Sequence, residues 1–260
     1  MPEHVQTEIT DGIGILTINR PDALNALDGP TLKQLDAAFD RLNRDTDVRV
    51  IVLAGAGDRA FVAGGDIRDL NSRRGLAHYQ ELAEDLHGCF ARIEASDKPT
   101  ISAIDGWALG GGVELLLCTD MRIAGASATF GLPEINLGLF PGAGGTQRLI
   151  REIAPCRARE LMFTGNRIDA DTALSLGLVN SVIENGSVLD AAKAMAATVA
   201  SKSPLVLKLM KRTLRHGVSM PQPAALAYEQ AMIGLVLDSD DAHEGCGAFI
   251  EKRQPEFQGR

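Results

Sequence analysis

Up to residue 183 short apolar runs alternate with stretches of helical period, and beyond it only helical periods remain. Such a chain must fold as a layered α/β body followed by helices, because apolar strands bury themselves in a sheet and amphipathic helices cover it. Val5 to Glu8 and Ile13 to Asn19 flank Asp11-Gly12, the signal of a hairpin. Asp28-Gly29-Pro30 reads as a helix start, with Leu32, Leu35, Phe39 and Leu42 at helical spacing before the apolar run Val48 to Leu53. A second round places a helix at residues 82–93, a strand at Thr100 to Ile104, a helix from Gly110 and a strand at Met121 to Ala124. After Val179 to Ile183 come helical segments at Val188 to Ala200, Leu205 to Leu214, Ala224 to Leu237 and Asp241 to Lys252. This divides the chain into a body, residues 1–187, and a helical region, residues 188–260. Turn residues and charges replace the apolar period in Pro21 to Pro30 and Arg68 to Gly75, which are expected as surface excursions.

Composition removes several classes of function. A chain of 260 residues with a formal net charge of −8 can bury a sizeable core but offers no broad surface for nucleic acid. Cys89, Cys118, Cys156 and Cys246 contain no C-x-x-C pair, which argues against a metal knuckle or redox dithiol and for a reducing compartment. No charged-then-apolar leader and no membrane-length apolar run are present, so a cytoplasmic protein is expected. The histidines lack H-E-x-x-H spacing, and Ser102 and Ser127 lack a nucleophile elbow. Gly55-Ala56-Gly57-Asp58-Arg59-Ala60 approximates a dinucleotide loop, yet no clear apolar helix follows it. Gly142-Ala143-Gly144-Gly145-Thr146 lacks the P-loop lysine and reads as a helix start.

What remains is a concentration of glycines and acids. Gly110-Gly111-Gly112-Val113-Glu114 is followed by Phe130-Gly131-Leu132-Pro133-Glu134, and Phe61-Val62-Ala63-Gly64-Gly65-Asp66 precedes both. Glycines let a ligand approach the main chain, and amides opening a helix stabilise a developing oxyanion. The Ala63 and Gly111 amides are the expected donor pair, binding a thioester oxygen more strongly as it becomes enolate-like. Glu114 lies three residues after Gly111 and shares its helix face, where it either touches bound substrate or steadies the helix dipole. Glu134, after Pro133 at a loop-to-helix transition, either caps a helix or reaches a cleft where burial raises its pKa toward working pH. Each glycine segment alone is equally consistent with turns and close packing; their combination with two glutamates favours proton chemistry on an activated carbonyl compound.

Across nearly its full length the chain closely resembles the enoyl-CoA hydratase/isomerase, or crotonase, family. The match is carried by Ala63-Gly64-Gly65-Asp66, Ala108-Leu109-Gly110-Gly111-Gly112-Val113-Glu114, Pro133-Glu134 and Pro141-Gly142-Ala143-Gly144-Gly145-Thr146-Gln147-Arg148-Leu149. The resemblance implies an α/β spiral of repeated strand-strand-helix units whose C-terminal helices build homotrimers or dimers of trimers. It implies an acyl-CoA thioester as substrate, with CoA part of that substrate and no separate cofactor; the composition and spacings above leave no metal, nucleic-acid or membrane partner expected. By motif position Ala63 and Gly111 would form the oxyanion hole, with Gly64, Gly65 and Asp66 in the adjoining substrate-binding segment. Glu134 would exchange a proton at the α carbon, and Glu114 would orient and deprotonate water attacking the β carbon.

Having both acids favours reversible syn hydration of a 2-trans-enoyl-CoA over the alternatives, a double-bond isomerase using Glu134 alone or an inactive acyl-CoA- or RNA-binding scaffold. Trp107, Leu109, Leu137 and Phe140 are candidates for the acyl pocket, or for ordinary core. Asp22 stands where related hydratases often carry a basic residue, which leaves Arg68, Arg73, Arg74, Lys252 and Arg253 as alternative sources of positive charge.

Overall fold

The computed structural model describes residues 3–184 and 186–260. Strands β1 (Val5–Thr10) and β2 (Ile13–Ile18) pair antiparallel with Val5 opposite Ile18. Asp11 and Gly12 both take positive φ, 50° and 78°, the conformation a two-residue hairpin turn needs. Helix α1 (Gly29–Arg44) follows, its first turn capped by the Asp28 carboxylate accepting from the Thr31 N–H. Three strand pairs come next: β3 (Val50–Gly55) with β4 (Ala60–Val62), then β5 (Thr100–Ile104) with β6 (Trp107–Leu109), then β7 (Met121–Gly125) with β8 (Thr129–Gly131). Helices α2 (Ile67–Ser72) and α3 (Gly75–Glu94) follow the first pair, α4 (Gly111–Leu116) the second, and α5 (Gly145–Glu152) and α6 (Pro155–Thr164) the third. The body closes with β9 (Arg167–Asp169), α7 (Ala170–Ser175) and β10 (Ser181–Ile183).

The first strand of each pair joins a six-stranded sheet ordered β1-β2-β3-β5-β7-β10, and the second joins a four-stranded sheet ordered β4-β6-β8-β9. This is the expected spiral of strand-strand-helix units. Side chains alternate along β3: Ile51 and Leu53 enter the main core with Phe39, Phe90 and Phe130, whereas Val50 and Val52 face a second cluster. That second cluster is closed by Val188, Ala192, Ala196 and Ala200 of α8 (Val188–Ala200), whose small residues form the buried stripe of the helix. Burial on both faces explains why the inner parallel strands read as continuous apolar runs.

Helices α9 (Pro204–Gly217), α10 (Gln222–Leu237) and α11 (Asp240–Glu251) complete the chain as expected. Lys211 and Arg212 of α9 pair with Asp120 and Asp97 at 2.6 and 2.7 Å, fastening it to the body. Leu214, Val218, Leu226, Leu235, Leu237, Phe249 and Ile250 remain exposed. Among the described residues, no helix is long and apolar enough to cross a membrane.

Of the two expected surface excursions, Arg68 to Gly75 has no buried residue but is partly helical, and Pro21 to Pro30 is partly buried. Ile67–Ser72 is a helix, started by the Asp66 carboxylate accepting from the Arg68 and Asp69 N–H groups. Within Pro21 to Pro30, Leu24 and Asn25 take positive φ and Asn25 is fully buried. The Asn25 side chain accepts from the Arg20 N–H and donates to the Ala56 and Ala60 carbonyls at 3.0 and 2.7 Å, replacing secondary structure with a buried polar staple.

Candidate active site

The site forms where the small sheet hands the chain to α4. Gly110, tied to β8 by its N–H donating to the Gly131 carbonyl at 2.8 Å, adopts φ 51° and ψ −119°, a turn open only to glycine. Two residues on, a Cβ at Gly112 would stand 2.0 Å from the Val62 carbonyl oxygen, so α4 presses directly onto β4. That approach carries Gly111 to the Gly64-Gly65 segment, where a Cβ on Gly111 would lie 3.6 Å from the Gly65 nitrogen. As the first residue of α4, Gly111 has no intrahelical acceptor for its N–H.

Of the two expected donors, Ala63 already has an acceptor within the chain. The Ala63 N–H donates to the Leu24 carbonyl at 3.0 Å and is engaged in holding the Asn25 turn against β4. The Gly65 N–H, by contrast, meets no acceptor among the described residues, although its neighbours Gly64 and Asp66 bond to Leu27 on either side. The Gly65 nitrogen lies beside Gly111, so these two amides make the candidate donor pair. Gly64 contributes the turn, at φ 113°. Asp66 does not present a free carboxylate: besides capping α2 it pairs with Arg20 at 3.2 Å.

Glu114, one turn into α4, is buried. Its Oε1 accepts from the Ala143 N–H at 2.7 Å and the Gly145 N–H at 2.8 Å. Gly145 opens α5, a helix whose own N-cap residue, Gly144, supplies no side chain, so the Glu114 carboxylate caps it from across the core. Burial pushes the Glu114 carboxyl above its ordinary pKa, while these two amides and the charges of His87 and Arg148 pull it back.

Glu134 is held differently. It lies in a short 3-10 turn, Pro133–Leu137, and its Oε2 is buried without a hydrogen-bond partner. Burial, with the charge of Glu114 adding to it, raises its pKa to about 7. Its Oε1 would be 2.9 Å from a Cβ at Gly110, so the carboxylate rests over the same glycine turn that sets the Gly111 amide. Glu114 and Glu134 thus sense one another across the start of α4.

The candidate acyl residues separate. Leu109 is buried core, and Trp107 stacks under the Arg167 guanidinium at 5.1 Å. Leu137 and Phe140 are exposed beside Ile135 and Leu139, an apolar rim directly after Glu134. Of the candidate cations, Arg73 pairs with Asp69, Arg253 with Glu244 and Glu251, and Arg68, Arg74 and Lys252 are exposed. Sequence reasoning read Gly142 to Thr146 only as a helix start; that the Ala143 and Gly145 amides hold Glu114 follows from a contact across the core that no local pattern encodes.

Glycine amides left open at a helix start and flanked by one buried and one half-buried carboxylate suit thioester enolate chemistry. The enoyl-CoA hydratase/isomerase family profile matches residues 8–260, and the chain belongs to that family. It is 40% identical over 249 residues, 95% of each chain, to a short-chain-enoyl-CoA hydratase of Clostridium acetobutylicum. It is 39% identical over 255 residues, 98% of each chain, to a crotonyl-CoA hydratase of Syntrophomonas wolfei. Its fold superposes on the crystal structure of an enoyl-CoA hydratase from Bacillus anthracis with a TM-score of 0.95 at 34% identity, covering 99% of this chain and 100% of the other.

Proposed function

We propose that this chain is an enoyl-CoA hydratase, a hydro-lyase that adds water reversibly and syn across the double bond of a 2-trans-enoyl-CoA to give a 3-hydroxyacyl-CoA. The thioester oxygen accepts from the Gly65 and Gly111 N–H groups, which bind it more tightly as negative charge collects there. Water, oriented by the free oxygen of Glu114, attacks the β carbon and gives that carboxylate a proton. The π electrons move to the thioester oxygen, and the α carbon takes its proton from Glu134. The pair ends with its total proton count unchanged, and exchange between the acids or with solvent restores the starting state. The residues assigned here account for both proton transfers, and CoA enters as part of the substrate.

The observation that carries this reading is the contrast between a carboxylate fixed by two amides and one with an oxygen left bare, both beside the same open amides. Its test is hydration of crotonyl-CoA, followed by Glu114→Gln and Glu134→Gln proteins with verified folding. Both substitutions should suppress turnover by about 10²- to 10⁴-fold. Wild-type protein that moves the double bond of a 3-enoyl-CoA in preference to hydrating crotonyl-CoA would instead assign the isomerase reaction, which Glu134 alone supports.

The exposed apolar residues of α9, α10 and α11 are assigned to contacts between copies in a homotrimer or a dimer of trimers, and residues 188–260 form that assembling region while residues 1–187 carry the chemistry. The enzyme works in the cytoplasm.

A further inference from the structure

The loop that holds Glu114 has no clamp of its own. Gly144, at φ 101°, is a hinge between the two amides that grip the carboxylate, and α5 starts without a local side-chain cap. Arg148 supplies the constraint. Its Nη1 donates to the Ala143 carbonyl at 2.9 Å, from the side of the loop opposite to Glu114's grip on the Ala143 N–H. Its Nη2 and Nε donate to Glu94 Oε2 at 2.7 and 3.2 Å, which anchors the guanidinium to the last turn of α3. A Cβ at Gly144 would lie 2.0 Å from Arg148 Nη1, so the hinge residue is shaped to this guanidinium, just as Gly145 is shaped to Glu114, whose Oε1 a Cβ would meet at 2.9 Å.

We propose that Arg148, braced by Glu94, is a positioning residue for Glu114: by fixing the Ala143 carbonyl it holds the Ala143 and Gly145 amides on one carboxylate oxygen and leaves the other aimed at water. The proposal rests on the reading of Glu114 as the water-activating base. It also has an electrostatic side, since the Arg148 charge helps keep Glu114 ionised against burial. The other titratable or charged groups that act on this carboxylate or bear on it are His87 and Glu94 on α3, Cys118 in the turn after α4 and Glu134 on the 3-10 turn. All are retained in the Arg148 variants, so a shift in pH profile between those variants reports Arg148 itself.

The test compares Arg148→Met, Arg148→Lys, Glu94→Gln and Glu114→Gln using two readouts. One is kcat and KM for hydration of crotonyl-CoA across pH. The other is α-hydrogen exchange of butyryl-CoA in heavy water, which needs Glu134 and the amide pair but no attacking water. Arg148→Met should lower hydration kcat by about tenfold or more with little change in KM, since orientation of a reacting group is lost while binding is kept. Its acid limb should move to higher pH, because removing a cation raises the carboxyl pKa. Arg148→Lys should recover most of kcat, Glu94→Gln should lose a few-fold, and exchange into butyryl-CoA should persist in all four proteins.

Hydration kcat within about twofold of wild type in Arg148→Met, or hydration and exchange falling together, would overturn the assignment. If Arg148→Met does not fold, Glu94→Gln decides the matter, and unchanged hydration kcat in that protein would overturn it equally. Glu114→Gln that still hydrates would remove the underlying reading instead, a result separable from all of these.

Discussion

The segment around Glu114 and the turn around Glu134 bring two carboxylates to the same glycine start of α4, and the chain treats them in opposite ways. Glu114 projects from a fully packed helix, and one of its oxygens is saturated by two backbone amides. Glu134 projects from a short 3-10 turn with an apolar exposed rim, and one of its oxygens is buried without a donor. Hydrogen bonds to the ionised form favour charge, whereas bare burial favours the proton. One local geometry therefore fixes the aim of a carboxylate, and the other raises a carboxyl toward neutrality. The difference lies in the donors each side chain meets, since the residue type is the same.

The largest test of that contrast removes each acid in turn. Glu114→Gln and Glu134→Gln should each lose about two to four orders of magnitude in hydration kcat. Only Glu134→Gln should also abolish hydrogen exchange at the α carbon of butyryl-CoA, measured by mass spectrometry. A smaller effect comes from disturbing the grip on Glu114 alone. Gly145→Ala places a methyl 2.9 Å from both Glu114 Oε1 and the Pro141 Cβ, and because that oxygen is pinned it cannot swing aside. Hydration kcat should fall by about 10- to 100-fold while α-hydrogen exchange is retained, and equal loss of both would show that the two sites are not separable.

A subtler outcome concerns pH. Hydration needs Glu134 protonated, so its kcat should fall as pH rises through about 7; dehydration of the 3-hydroxyacyl-CoA needs it ionised and should climb over the same range. Initial rates in both directions across pH 5–9 check this, and parallel profiles would contradict the assignment of the acid. The smallest effect is on stability. Because the folded pKa of Glu134 is raised, the native state binds more protons than the unfolded chain between the two values, and stability declines as pH rises from about 4.5 to about 7. Relieving that buried charge in Glu134→Gln should stabilise the protein at pH 8 by roughly 1–2 kcal/mol, less than the full shift implies because the group is partly exposed to solvent. Glu114→Gln should change stability less, since the loss of a strong acceptor for the Ala143 and Gly145 N–H groups offsets the relief of a buried charge. Thermal unfolding at pH 5 and pH 8 measures both effects.

Much of the body was legible in the chain because the long strands and the amphipathic helices carry their periodicity in consecutive residues. β2, β3, β5 and β7 read as apolar runs, and α8 to α11 fall where the helical period places them. The three-residue strands β4, β6 and β8 left no comparable trace, being shorter than any pattern that distinguishes a strand from a loop. α2 was read as an excursion because its charges masked a helix that Asp66 initiates. In the site, Gly111, Glu114 and Glu134, which glycine and acid spacing single out, come together at the start of α4, whereas nothing in the local pattern shows that the Ala63 N–H is engaged. Whether an amide two residues along is free depends on which carbonyl the neighbouring turn offers, and here Leu24 takes Ala63 and leaves Gly65.

The sequence alone determined the alternation of strands and helices, the family to which the chain belongs and the candidate acids beside the glycine turn, since all of these are written in patterns of near neighbours. Tertiary structure decided which amides stay open, which carboxylate is gripped by amides and which keeps a buried oxygen without a partner. Those properties depend on donors, acceptors and burial supplied by segments far apart in the chain: Leu24 against Ala63, Ala143 and Gly145 against Glu114, and Gly110 beneath Glu134.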